Sequence, residues 1–292
     1  IAFMFIFFST SLTIKSQYYS PPQQIDNSPS TQQSPPPTQQ TPQTQQTAGS
    51  PPSQMGGPPP GGNFLGGSSS GKTCGLSEDS KTFQYSENTD DLNGSSTGYP
   101  GGYRNIVANG CPGYDWTSQT TPNTAQEQDK NYKFALQPRL SKTSTLIGIK
   151  KVDGSENSNA PKGPVGISLN GISIYGNADK DNRDAYIYES NTFDKCRGHP
   201  QEQGDYHYHS EPAEGCVYTD QPGQHSPLFG FMFDGIPIYG VFGDNREHPT
   251  DLDECGGHVD QTHPFYHYHL PKDLSFPYIL TCLKGCIIGP FP

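Results

Sequence analysis

A mainly β domain, stapled by disulfides, built from two pseudo-repeated halves and preceded by a disordered Pro/Gln/Ser-rich segment, is the fold class this sequence predicts. Three observations carry it. Asn170-Gly171 and Asp234-Gly235 each stand between two short alternating runs, the pattern of a β-hairpin. The blocks around those turns recur further along the chain with their order kept. Seven cysteines are spread widely with no Cys-x-x-Cys, which reads as disulfides in an oxidising compartment rather than as a zinc or redox motif.

Taken in order, Ile1 to Phe8 is continuously apolar, and Ser9, Thr10, Ser11 and Lys15 follow. Eight apolar residues fall short of the roughly 20 that cross a bilayer. They match the end of a signal-peptide apolar segment cleaved near Ser16, so residues 1–16 are expected to be a truncated signal peptide. Residues 17–72 are Pro, Gln, Ser, Thr and Gly with almost no aliphatic side chains. Such a stretch cannot bury enough apolar surface to offset backbone ordering and is expected as a disordered stalk. Pro35 to Pro37 and Pro58 to Pro60 favour local polyproline II. Ser and Thr beside Pro suit O-glycosylation, though a plain spacer needs no such role.

Composition bounds the rest. Only 30% of the 292 residues are hydrophobic, so one core cannot run the whole length, and 17 Tyr and 15 Phe supply most of the large side chains. The net charge of −11, with no run of Lys or Arg, excludes nucleic acid as a partner and favours solubility and the attraction of cations. No transmembrane segment is expected. Asn93-Gly-Ser95 is an N-linked acceptor triplet that suits an extracellular surface.

Within 73–292, Phe83 and Tyr85, Tyr132 to Leu136, and Leu146 to Ile149 are candidate strands. Gly166 to Leu169 and Ile172 to Tyr175 flank Asn170-Gly171, a pair suited to positive φ at both central positions of a type I′ turn. Phe231 to Phe233 and Ile236 to Tyr239 flank Asp234-Gly235 in the same way. Pro237 has no N–H to donate, which predicts an edge position for that last strand. No long stretch has apolar residues at helical spacing.

The repeat is explicit. Asn170-Gly-Ile-Ser-Ile-Tyr-Gly176 returns 64 residues on as Asp234-Gly-Ile-Pro-Ile-Tyr-Gly240. Asp194-Lys-Cys-Arg-Gly-His199 returns 59 residues on as Asp253-Glu-Cys-Gly-Gly-His258, and Tyr206-His-Tyr-His209 returns 60 on as Tyr266-His-Tyr-His269. Two equivalent halves, about 163–217 and 227–286, related by a pseudo-two-fold axis, are implied. These residues resemble the YHYH-domain family, from around Asn109-Gly-Cys-Pro112 to about Cys286, with Arg197 and Ser173 the mild departures between copies. The resemblance implies an exported domain and assigns no activity. The repeat also suggests equivalent staples Cys196–Cys216 and Cys255–Cys282, with Cys74–Cys111 a third and Cys286 left over. Each loop of about 20 residues would contribute roughly 3 kcal/mol in the chain-entropy model.

On a strand, side chains alternate faces, so His207 and His209 point one way and Tyr206 and Tyr208 the other, as do His267 and His269 against Tyr266 and Tyr268. Two imidazoles at i and i+2 can share an ion, and His199 and His258 can each add a third nitrogen. Asp194 and Asp253 are candidate orienting partners of an imidazole. With the thiols in disulfides the ligand set is nitrogen and oxygen, which suits copper or zinc. The same residues also fit a buried hydrogen-bonded core. His225, His248 and His263 have no repeat partner and carry no assigned role. No nucleophile elbow is present and no catalytic residue is assigned, although a three-His zinc with an open position would suit a hydrolase. The functions that remain are an extracellular binding or structural role, a matrix or fibril component that self-assembles through strand edges, and, last, a metal-dependent hydrolase.

Overall fold

The computed structural model describes residues 69–90, 93–94, 98–117 and 120–288. The expected leader, and the stalk up to residue 68, lie outside the described residues. Before the repeat the strands are β1 (Ser69–Thr73), β2 (Phe83–Asn88), β3 (Tyr103–Ala108), β4 (Gln126–Gln128), β5 (Lys130–Ala135) and β6 (Leu140–Leu146). The first copy supplies β7 (Pro164–Ser168), β8 (Ser173–Tyr175), the short helix α1 (Ala185–Glu189), β9 (Gly198–Pro200) and β10 (Tyr206–Tyr208). The second supplies β11 (Leu228–Met232), β12 (Pro237–Tyr239), β13 (Gly257–His258) and β14 (His267–His269), and β15 (Cys282–Gly285) closes the fold. Mainly β is therefore the observed class. No helix among the described residues is long and apolar enough to cross a membrane.

Eight strands form one sheet in the order β13-β14-β12-β11-β7-β8-β10-β9. Each half of that order is one repeat copy, mirrored about the central β11–β7 pair. The register pairs Gly166 with Met232, Ile167 with Phe231 and Ser168 with Gly230. Since the repeat maps residue 166 onto 230 and 168 onto 232, this antiparallel register is the one a two-fold axis between Ile167 and Phe231 requires. The pseudo-dyad is thus built into the hydrogen bonding at the sheet's centre.

Register shifts between Pro164 and Gly166, and between Leu228 and Gly230, reverse the faces locally. Val165 and Phe229 accordingly join the larger core with Ile174, Met232, Ile238, Tyr206, Tyr208 and Tyr268, under Cys282 and Leu283 of β15. Ile167 and Phe231 face the other way and meet Ile106, Tyr132 and Phe134 of the three-stranded β2-β3-β5 sheet. The histidines share this second side, since His199, His207 and Ser173 lie in one line of register with Ile167.

Four details differ from the sequence expectations. Gly171 and Gly235 alone have positive φ at the hairpin tips, and each N–H returns to the carbonyl three residues back, Ser168 or Met232. These are type I turns followed by a left-handed glycine rather than type I′ turns, because a bulge beyond the turn supplies the twist. β12 is interior, paired with both β11 and β14. Pro237 is tolerated there because it is the first residue of the strand, and pairing with β14 begins at Ile238. β6 ends at Leu146, so Ile147 to Ile149 are not in a strand. β1 takes in the last residues of the segment read as stalk.

Disulfides join Cys74–Cys111, Cys196–Cys216 and Cys255–Cys282, across 37, 20 and 27 residues, and Cys286 is free and exposed.

Candidate metal centres

Each motif residue has a mechanical task, and the tasks repeat between copies. In the Asp-x-Cys-x-Gly-His blocks, Asp194 Oδ1 accepts the N–H groups of Cys196 and Gly198, and Asp253 Oδ1 those of Cys255 and Gly257. The residue after each cysteine sits at positive φ, 63° for Arg197 and 83° for Gly256. Arg197 tolerates a glycine-type position while its guanidinium donates to the Glu211 and Pro212 carbonyls. Gly198 and Gly257 lie flat beneath the rings of Tyr206 and Tyr266, where a Cβ would collide with the phenol.

The tyrosines anchor the other side. Tyr206 donates to Asp194 Oδ2 at 2.6 Å and Tyr266 to Asp253 Oδ2 at 2.9 Å. Tyr208 accepts from Asn170 Nδ2 at 3.0 Å, and Tyr268 donates to Asp234 Oδ2 at 2.6 Å, so the hairpin tip of each copy reaches the second tyrosine of its own Tyr-His-Tyr-His run. Burial pushes Asp194 and Asp234 up to about 6. Asp194 and Asp253, expected as partners of an imidazole, spend their oxygens on tyrosines and backbone instead. Two carboxylates pinned to the Cys-Gly backbone cannot reach the histidine face.

In the first cluster, His207 Nδ1 meets the Asp205 carbonyl at 3.0 Å and His209 Nδ1 meets the Gly176 carbonyl at 2.6 Å. A carbonyl only accepts, so both Nδ1 atoms carry hydrogen. The Thr192 hydroxyl, which donates to the Glu189 carbonyl at 2.7 Å, must accept from His199 Nδ1 at 2.6 Å. All three Nε2 atoms therefore present lone pairs, and they meet: His199 to His207 and His207 to His209 are each 3.0 Å. Two lone pairs at that distance repel. Bridging them with a proton would make a buried imidazolium, which burial opposes: it holds His199 down to about 3 and His207 well below its ordinary value. The arrangement left is three neutral donors whose lone pairs converge closely enough for one cation to be held between them. Glu189 Oε2 stands 3.4 Å from His209 Nε2 and 3.7 Å from His199 Nε2. The imidazoles line a cleft of about 560 Å³ with Tyr175, Glu189, Gln201, Gln203 and Lys162.

Behind His207, Lys130 is buried with its Nζ 2.6 Å from Ser173 Oγ and 2.7 Å from Asp205 Oδ1, and Tyr175 donates to Asp205 Oδ2 at 3.2 Å. Tyr175 also stacks on His207, centroids 3.9 Å apart. This ion pair fixes the residue whose carbonyl sets the His207 tautomer. The second copy has Pro237 and Phe265 in place of Ser173 and Asp205.

The second cluster is richer in donors. His267 Nδ1 meets the Phe265 carbonyl at 2.9 Å, His269 Nδ1 the Gly240 carbonyl at 2.7 Å, and His225 Nδ1 the Ser226 carbonyl at 2.7 Å. His258 Nδ1 is 2.7 Å from Asp251 Oδ1. All four Nε2 atoms again carry lone pairs. His267 and His269 Nε2 are 3.1 Å apart, and Asp260 Oδ2 lies 3.2 Å from His225 Nε2, 3.8 Å from His267 Nε2 and 3.9 Å from His258 Nε2. His225 Nε2, His258 Nε2 and Asp260 Oδ2 are buried without a hydrogen-bond partner. Burying acceptors unpaired is costly, so converging orphans fit an ion that all of them face. His225, Asp260, His267 and His269 meet closely enough to share one.

The histidines of the motifs thus gather as two separate groups, one per half, rather than as one. His199, His207 and His209 stand together, and His267 and His269 stand with His225 and Asp260, while His258 is at the margin. His225, given no role from sequence, is a member. His263 packs against it, centroids 4.3 Å apart, and His248 lies apart on Phe242. The signal for Asp260 was present: it stands two residues after His258, on the same side of an extended chain. Asn93 is exposed.

Fold and clusters together define a disulfide-stapled β module with a buried histidine cluster in each of two repeated halves. Residues 131–250 match the family model described as YHYH protein. The match takes in the first Tyr-His-Tyr-His run, narrower than the 109–286 suggested by the motifs. No curated protein and no solved structure matches the chain.

Proposed function

We propose that this protein is a secreted metal-binding module, each half of which holds one divalent ion, copper or zinc, in its histidine cluster. The observation that supports this most is the convergence of Nε2 lone pairs, three in the first half and, with Asp260, at least four donors in the second. Donors of this kind suit either metal, and raw affinity favours copper. His199, His207, His209 and, in the second half, His225, His267, His269 and Asp260 are the ligands. Thr192 and Asp251, seven residues before His199 and His258, orient those two rings. Three disulfides and a signal-peptide-like start support an oxidising, extracellular location, with residues 17–68 as a stalk and Asn93 as a glycan site.

The cleft over the first cluster favours a second reading, a metal centre that activates water for hydrolysis. A matrix or fibril subunit with a purely structural His/Tyr core is the contrasting role. Elemental analysis of protein purified without added metal separates them. About two equivalents of copper or zinc, falling to about one in His207→Ala/His209→Ala, is the expected result. Metal-free protein that stays so after incubation with both ions rejects the proposal.

A further inference from the structure

Glu189 has a place in the first half that nothing in the second half matches. It is the last residue of α1, whose start is capped by Asp184 Oδ1 accepting the Ile187 N–H. The Glu189 carbonyl accepts from Thr192, which in turn accepts from His199, so its backbone supports one imidazole from behind. Its carboxylate faces the same ring from the front, 3.7 Å from His199 Nε2 and 3.4 Å from His209 Nε2. Donors around a tetrahedral ion with bonds of about 2.0–2.1 Å lie roughly 3.3 Å from one another. Glu189 Oε2 is thus near the spacing of a fourth donor for two of the three imidazoles. Its side chain remains 28% exposed on the cleft side, unlike the three rings. Fifty-nine residues on, the equivalent residue is His248, which packs on Phe242 instead.

We infer that Glu189 is a displaceable fourth ligand of the first centre, and that its departure opens one coordination position to the cleft for a small oxygen or nitrogen donor such as water, a carboxylate or azide. The inference rests on the metal reading of the cluster. The second centre, closed by His225 and Asp260 with His258 beside them, has no such exposed ligand. One half holds its ion with a replaceable donor and the other holds it without one.

Cobalt(II) titration of the full domain tests this, in a His225→Ala/Asp260→Asn background that silences the second centre. The parent should give the intense visible bands of a four-coordinate ion, and azide should shift them only at high concentration. In Glu189→Gln, cobalt should still bind, about 10- to 100-fold more weakly, with changed bands and tighter azide binding. Unchanged bands, cobalt affinity and azide affinity in Glu189→Gln and Glu189→Ala overturn the inference. So does metal-free unfolding altered as much as metal affinity, since Glu189 would then be a structural residue. Failure of cobalt to bind while Glu189 is intact instead overturns the metal reading itself.

Discussion

Replacing Gly198 by Ala tests how the motif holds its histidine. A Cβ at residue 198 meets the Cε1, Cζ and hydroxyl of Tyr206. That ring is fully buried and held by Asp194 at 2.6 Å and Tyr114 at 3.1 Å, so it has nowhere to turn. Overpacking of this kind costs about 1–3 kcal/mol. If the phenol moves instead, a hydrogen bond to a carboxylate worth about 1.5–3 kcal/mol is lost. Either route gives a destabilisation of about 1–3 kcal/mol, which for a domain this size lowers Tm by about 2–12 °C. Because Gly198 precedes His199, the same shift should weaken metal at the first cluster and leave the second intact. Differential scanning calorimetry with and without zinc reads both effects. A Tm within about 1 °C of the parent, or an equal loss of metal at both clusters, would refute the reasoning.

Three further outcomes are expected. Thr192→Val removes the acceptor for His199 Nδ1 and should weaken metal at the first cluster about 10- to 100-fold by titration, leaving the second unchanged. Opening the 20-residue loop with Cys196→Ala/Cys216→Ala should cost roughly 3 kcal/mol in denaturant unfolding, and an unchanged midpoint would contradict the staple's role. Stability of the metal-free protein should fall as pH drops from 6.5 towards 3. Burial holds His199 and His267 down to about 3 and His269 to about 2, so their contribution is present above the ordinary imidazole value and lost below it. Asp194 and Asp234, raised to about 6, act oppositely between about pH 4 and 6, but three or more rings outweigh two carboxylates. A Tm that rises or stays level from pH 6.5 to 4 would contradict this.

The repeat made much of this architecture legible. Alternation along Tyr206 to His209 and Tyr266 to His269 placed imidazoles and phenols on opposite sides, because period-two geometry depends on local backbone alone. The Cys-x-Gly-His blocks placed the staples, since equivalent positions in a pseudo-two-fold fold meet equivalent partners. What the repeat could not show is whatever the copies do not share. His225 and Asp260 correspond to Pro161 and to the Pro200-Gln201 region of the first copy, so comparing the halves finds no echo of them. Glu189 and Asp205 are likewise specific to the first half, and Lys130 lies before the repeat. The edge expected for Pro237 failed because a strand's first residue escapes the need for an N–H, a matter of register one residue wide.

Crystals soaked with zinc or copper and measured across the metal's absorption edge test the central claim most directly. Two anomalous peaks are predicted, one about 2.1 Å from the Nε2 atoms of His199, His207 and His209, the other within bonding distance of His225, Asp260, His267 and His269. A featureless anomalous map, with the imidazoles turned to donate to one another or to water, would contradict it.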